Sequence, residues 1–236
     1  MSAFVVGSVA GAPGASSIAL GVVAAWPEAQ RRRVLVEADP DGGKFGADLG
    51  VGTEPGLMSL TVATRARRFA PAEVLEHGGA QMGGWWVVPA PASAEHSAAA
   101  LVQAAPAFAQ TVAADPGGLW VIDAGRVSPR SPSMAFASVA ELVVLVTTGG
   151  LAALQLVPTR VDAFVGAGCT VAAVVVGDSP WPLPEIAAFC GCDVLARVPH
   201  VRRRRAGDPS MKGAEWRPWW SAVRGLTSVL LGPATA

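Results

Sequence analysis

The residues best equipped for chemistry stand at three points, each just after an apolar run. Phe4-Val5-Val6 leads into Ala10-Gly11-Ala12-Pro13-Gly14-Ala15-Ser16-Ser17, and a helical stretch follows. A Gly-rich turn between a strand and a helix makes backbone N–H groups converge. The helix N-terminus adds partial positive charge, and the two together cradle phosphate. The usual form of such a cradle is G-x-x-x-x-G-K-[ST]. Here Gly14-Ala15-Ser16 stands where G-K-[ST] is expected, so a hydroxyl suited to magnesium is present and the lysine is not. A second run, Val34-Leu35-Val36, ends in Glu37-Ala38-Asp39-Pro40, and a third, Leu119 to Ile122, ends in Asp123-Ala124-Gly125-Arg126. An apolar strand ending in Asp can hold magnesium through its carboxylate or through water. A single Asp at a strand end is more often a turn or cap residue. The three signals in order, after parallel strands, form a specific combination.

Residues this far apart must be brought together by a regular frame. Further short apolar runs lie at Trp85 to Val88, Leu142 to Val146, Val171 to Val176 and Asp193 to Leu195. They are continuous and not alternating, as in parallel strands covered on both faces. Helical stretches separate them at Ser16 to Ala25, Ser93 to Ala113, Leu151 to Val165, Leu183 to Phe189 and Glu215 to Leu230. This alternation predicts one three-layer α/β/α domain over residues 1–236, with a mostly parallel sheet of about seven strands. Such sheets bind ligands at the carboxyl ends of their strands, where all three motifs fall.

Composition narrows the function classes. The 236 residues are 51% hydrophobic and 15% charged, enough to bury a large core. The formal net charge of +0 argues against a generic basic nucleic-acid binder. Positive charge is local, at Arg31 to Arg33, at Arg65, Arg67 and Arg68, and at Arg202 to Arg205; the lysines are Lys44 and Lys212 alone. Cys169, Cys190 and Cys192 form no disulfide framework and suggest a reducing, cytoplasmic setting. Cys190-Gly191-Cys192 reads as small buried residues, since a structural zinc takes four ligands. His77, His96 and His200 make no cluster, and Ser16 has no histidine partner for nucleophilic work. No run approaches the roughly 18 apolar residues of a spanning helix, and no leader pattern opens the chain.

The ordered motifs resemble those of the MinD/ParA family of deviant-Walker P-loop ATPases, over nearly the whole chain. The family loop K-G-G-x-G-K-[ST]-[ST] aligns with residues 10–17, and its D-x-D-P motif with Glu37 to Pro40. Asp123 takes the Walker B place and Ala124 to Pro129 the switch region. Asp178, after Val174-Val175-Val176-Gly177, and Pro199, in Val198-Pro199-His200, take the places that border adenine. The run from Gly11 to Gly43 resembles a MinD-like branch of high-GC bacteria, whose members often lack the loop lysine.

The resemblance implies a P-loop NTPase fold that takes ATP or ADP with Mg2+. Nucleotide would lie on Gly11, Ala12, Pro13, Gly14, Ala15, Ser16 and Ser17, with Asp178 and Pro199 at the base. Magnesium would lie near Ser16, Asp39 and Asp123, and Asp39 would be the catalytic, water-positioning carboxylate. Two departures qualify this. Ala10 replaces the family lysine that crosses the dimer, and Ala15 replaces the lysine on the β- and γ-phosphates. Each charge-assisted contact contributes about 1.5–3 kcal/mol, so nucleotide binding should weaken by about one to a few orders of magnitude. Arg126 and Lys44 are the candidate substitutes.

The expected function is a degenerate family member that positions cellular cargo, with weak or absent hydrolysis. The alternatives are an active ATPase that dimerises on ATP, and a non-enzymatic membrane or DNA anchor. A protein partner and a homodimer are implied. The amphipathic helix at about residues 214–231, with Trp216, Trp219 and Trp220, reads as packed on the domain in preference to a membrane. Arg202 to Arg205 could contact DNA phosphates, the less favoured reading at zero net charge.

Overall fold

The computed structural model describes residues 2–11, 14–27, 32–64, 70–128, 130–201 and 213–232. Arg202 to Arg205, whose nucleic-acid contact was considered above, lie outside the described residues. In chain order the elements are β1 (Ser2–Ser8), α1 (Ala15–Ala25), β2 (Arg32–Glu37), α2 (Phe45–Asp48), α3 (Leu57–Thr64), α4 (Pro71–Gly78), β3 (Ala80–Met82), β4 (Trp85–Val88) and α5 (Ala94–Ala113). There follow β5 (Gly118–Arg126), α6 (Met134–Ala137), β6 (Leu142–Thr148), α7 (Leu151–Leu154), α8 (Val157–Gly166), β7 (Val171–Val176), α9 (Leu183–Cys190) and β8 (Asp193–Val198). A 3₁₀ turn (Ala214–Trp216) then leads into α10 (Arg217–Leu230).

The strands form one sheet in the order β3-β4-β2-β5-β1-β6-β7-β8. Every neighbouring pair is parallel except β3–β4. The expected parallel sheet is therefore present, with a short antiparallel strand added at one edge. Ala80-Gln81-Met82 carries no β-branched run, and pairing across the turn at Gly84 (φ 107°) makes it a strand.

The continuous apolar strands fill a core on each face. Val5, Val34, Val36, Trp120, Ile122 and Val143 pack beneath α3, α4, α5, α6, α8 and α9. Phe4, Val6, Leu35, Leu119, Val121, Val144 and Val174 pack beneath α1 and α10. Neighbouring residues of one strand thus serve opposite cores, which is why the runs do not alternate with polar residues.

Three helical regions differ from expectation, the short α6 after β5 among them. Leu151 to Val165 is not one helix but two, α7 and α8. Pro158 lacks an N–H and its ring would meet the carbonyl of Leu154, so it is accommodated only in the first turn of a new helix. Between β2 and β3, where no helix was expected, lie α2, α3 and α4. Pro71 opens α4, and the Glu73 carboxylate accepts from the Ala70 N–H at 2.8 Å. The signal was in the sequence as Pro followed two residues later by Glu, a helix-start pattern.

The last helix packs on the domain. Trp216 and Trp219 are 7% and 4% exposed, and α10 lies against α1 and β8. Trp219 covers Gly21 of α1 so closely that a Cβ there would overlap its ring. Trp216 and Trp220 flank Trp219 edge-on, with centroids at 5.4 and 4.9 Å. No helix among the described residues is long and apolar enough to cross a membrane.

Candidate functional site

β1 lies between β5 and β6, and β2 lies beside β5, so the loops after β1, β2 and β5 meet at one edge of the sheet. The register aligns Val6 with Asp123 and Glu37 with Asp123. Three motifs far apart in sequence therefore converge at the carboxyl ends of adjacent strands.

The first loop turns into α1 through Gly14, whose φ of 94° favours glycine. The Gly14 carbonyl accepts the Ile18 N–H at 3.0 Å, which starts the helix directly. Ser16 is thereby placed in the first turn, buried, with its hydroxyl beside the Asp123 carboxylate, whose pKa it lowers. Among the described residues the helix has no side-chain cap and no acidic residue in its first turn, so its N–H groups face the loop.

Asp123 and Glu37 are each 1% exposed, yet they differ in partners. Glu37 Oε1 accepts from the N–H groups of Lys44 (2.6 Å) and Phe45 (3.1 Å), and Oε2 from that of Ala90 (2.9 Å). Its carboxyl staples the loop after β2 to the end of β4. Burial pushes its pKa up to about 7, although those three N–H groups draw it down. Asp123 Oδ1 accepts from Gly125 N–H at 3.1 Å, while Oδ2 has no hydrogen-bond partner among the described residues. Burial raises the Asp123 pKa to about 6, against the opposing pull of the Ser16 hydroxyl, the Lys44 ammonium and the Gly125 N–H.

Asp39 completes the group. Its carbonyl accepts the Ser97 hydroxyl at 2.6 Å, and its carboxylate accepts the Asp41 N–H at 2.9 Å. Burial raises its pKa; the Asp41 N–H lowers it, the Asp41 charge raises it, and Lys44 and Arg126 lower it. Gly125 (φ 58°) lets the carboxylate lie directly on the third loop, where any Cβ would overlap it. A cavity of about 450 Å³ opens between these loops. Gly11, Gly14, Ala15 and Ser16 line one wall; Asp39, Asp41 and Lys44 line another; Ser8, Gly125 and Arg126 close it.

Of the residues singled out from sequence, Gly11, Gly14, Ala15, Ser16 and Asp39 line this cavity, and Asp123 reaches it through Ser16. Ala12 and Pro13 lie outside the described residues. Ser17 sits beside Ser16 on α1 but does not line the cavity. Asp178 and Pro199 follow β7 and β8 on the same sheet edge, apart from the cavity. There the Gly177 N–H donates to the Val198 carbonyl at 2.9 Å and holds the two loops together. Asp41 and the structural part of Glu37 escaped sequence reasoning, because the loops that surround them carry no periodicity and give no sign of where they fold back.

The donor set fits a magnesium ion carried by phosphate. A hydroxyl, nearby carboxylates and a partnerless buried oxygen on Asp123 are what such an ion uses, with phosphate and water completing its shell. Among the described residues no three His, Cys, Asp or Glu side chains form a freestanding metal cluster. The ammonium of the usual loop is replaced by the Ala15 methyl group, and the cations lining the cavity are Lys44 and Arg126.

No family model matches the chain, and no curated protein matches its sequence. Solved structures do match its fold. The septum site-determining protein MinD complexed with Mg-ADP, from Pyrococcus horikoshii OT3, superposes with a TM-score of 0.75 at 16% identity, covering 98% of this chain and 96% of that one. The ParA family ATPase from Chlorobium tepidum TLS gives 0.75 at 16% identity, covering 96% and 97%. The MinC:MinD cell division complex of Aquifex aeolicus gives 0.64 at 10% identity, covering 100% and 98%. The chain has the α/β/α fold of the MinD and ParA-type P-loop ATPases.

Proposed function

We propose that this chain is a MinD/ParA-like nucleotide-binding protein with weak or absent ATP hydrolysis, acting in the positioning or assembly of cellular cargo such as chromosomes or secretion or pilus machinery. One observation carries the reading. Ser16, Asp39 and Asp123 converge around one cavity of about 450 Å³, while the lysine position beside them is Ala15. The magnesium side of the site is built and the phosphate-neutralising side is reduced.

In this reading the backbone of residues 11–17 cradles the phosphates of ATP or ADP, and Asp178 and Pro199 border the base. Ser16 ligates Mg2+, and Asp123 orients Ser16 and the ion's water. Asp39 stands where it would orient an attacking water. Phosphoryl transfer needs compensating charge as it develops, and two alanines in place of lysines leave little of it. The MinC:MinD complex favours a protein partner, and a homodimer in a cytoplasmic setting is part of the same reading. Membrane anchoring by α10 is disfavoured, because its apolar stripe is covered by α1 and β8.

The test is calorimetric titration of ADP and ATP with Mg2+ into the parent and an Ala15→Lys variant. The parent should bind weakly and the variant at least about tenfold more tightly, the size of one charge-assisted contact. Absence of binding to both would overturn the reading. A second reading, a working ATPase, is favoured by Lys44 and Arg126 lining the cavity. Steady phosphate release that Asp39→Ala abolishes would establish it.

A further inference from the structure

A second cavity, of about 560 Å³, lies beyond Gly11 from the phosphate cradle. Three guanidinium groups line it: Arg126 at the end of β5, Arg130 in the loop that follows, and Arg160 on α8. They face a single carboxylate, Asp41, so the walls carry a net excess of positive charge. The described residues give none of these three arginines a salt bridge. Among the described residues the ion pair that is formed joins Arg32 to Asp115 by two bonds to one carboxylate.

Like charges gathered in one concavity repel. That cost is offset when an oxyanion enters. Arginine is suited to that task because its fork of donors meets phosphate oxygens two at a time. A lone carboxylate supplies one charge, whereas a phosphate group supplies about two, with more acceptor oxygens, and better matches three arginines against one aspartate. Apolar walls from Val127, Pro132 and Leu156 shield the charges from water and strengthen their pull.

We propose that this arginine-lined cavity is a second anion site, which binds a phosphate-bearing small molecule beside the nucleotide cradle. It does not rest on the proposed function. The cavity uses Arg130 and Arg160, which the cradle does not, and the two share Gly11, Asp41 and Arg126.

Inorganic pyrophosphate is the probe, titrated calorimetrically into the full chain, an Arg130→Gln/Arg160→Gln variant and an Ala15→Glu variant whose carboxylate repels anions from the cradle. Arg130 is exposed, so Arg130→Gln alone carries the test if the double variant does not fold. Two equivalents should bind the parent, and the arginine variant should lose one of them, with affinity there falling at least about tenfold. One equivalent in the parent, lost by Ala15→Glu and untouched by the arginine variant, would overturn this inference and leave the nucleotide reading standing. One equivalent lost only by the arginine variant would support this inference and count against the nucleotide reading. No binding to the parent would overturn both.

Discussion

Ala15 and Lys44 define what the cradle can still do. Removing the loop lysine leaves the N–H groups of the first helical turn to hold phosphate by partial charges alone. Lys44 enters from the second loop, and its charge already acts on both Asp39 and Asp123. If it has taken over part of the missing contact, Lys44→Ala should weaken Mg-ADP binding by about tenfold, read by calorimetry. An unchanged affinity would mean that Lys44 serves only to neutralise the carboxylates. Ser16, Asp39 and Asp123 were legible from sequence because each follows directly on a strand. Lys44 was read as a substitute cation from its place just after Asp39, but Asp41 and Arg160 were not legible as neighbours of a site, since nothing local says which way a loop folds or where α8 comes to rest. The same holds for Glu37, whose three N–H partners come from two distant segments.

At the scale of elements, α10 shows how a motif with two readings resolves. A tryptophan-rich amphipathic helix suits a membrane surface or a core equally well by pattern. Here the glycine at position 21 decides, because it lets the Trp219 ring lie flush on α1. Trp219→Ala should cost about 3–5 kcal/mol in urea denaturation, the range for deleting a buried aromatic ring. A loss below about 1 kcal/mol would argue that the helix detaches readily. The strands and long helices were readable because continuous apolar runs and their spacing are dictated by burial on both faces. The split between α7 and α8 was written in Pro158, and α4 in Pro71 and Glu73. The three-residue β3 carries no such mark and forms only because β4 is there to pair with it.

Across the whole molecule, two buried carboxyls tie stability to pH. Burial raises the pKa of Glu37 from 4.5 to about 7 and that of Asp123 from 3.8 to about 6. The folded chain therefore holds more protons than the unfolded chain between about pH 4 and 7, and stability falls as pH rises through that window. The stabilising contribution is complete below the unfolded values and lost above the folded ones. Asp123→Asn should flatten the decline, by on the order of 3 kcal/mol for a shift of this size. Thermal melts of parent and variant from pH 4 to 8 would show it, and parallel curves would refute it. Magnesium with ADP should raise the parent's melting temperature more at pH 7.5 than at pH 5, because only the ionised carboxylates favour the cation.

Arg126 stands on the wall between the cradle and the arginine-lined cavity, and one guanidinium cannot give its full charge to two ligands. Occupants of the two spaces would thus be antagonists, each reducing the other's affinity by the same factor. A protein built this way would read the ratio of two phosphate compounds and not the concentration of either alone.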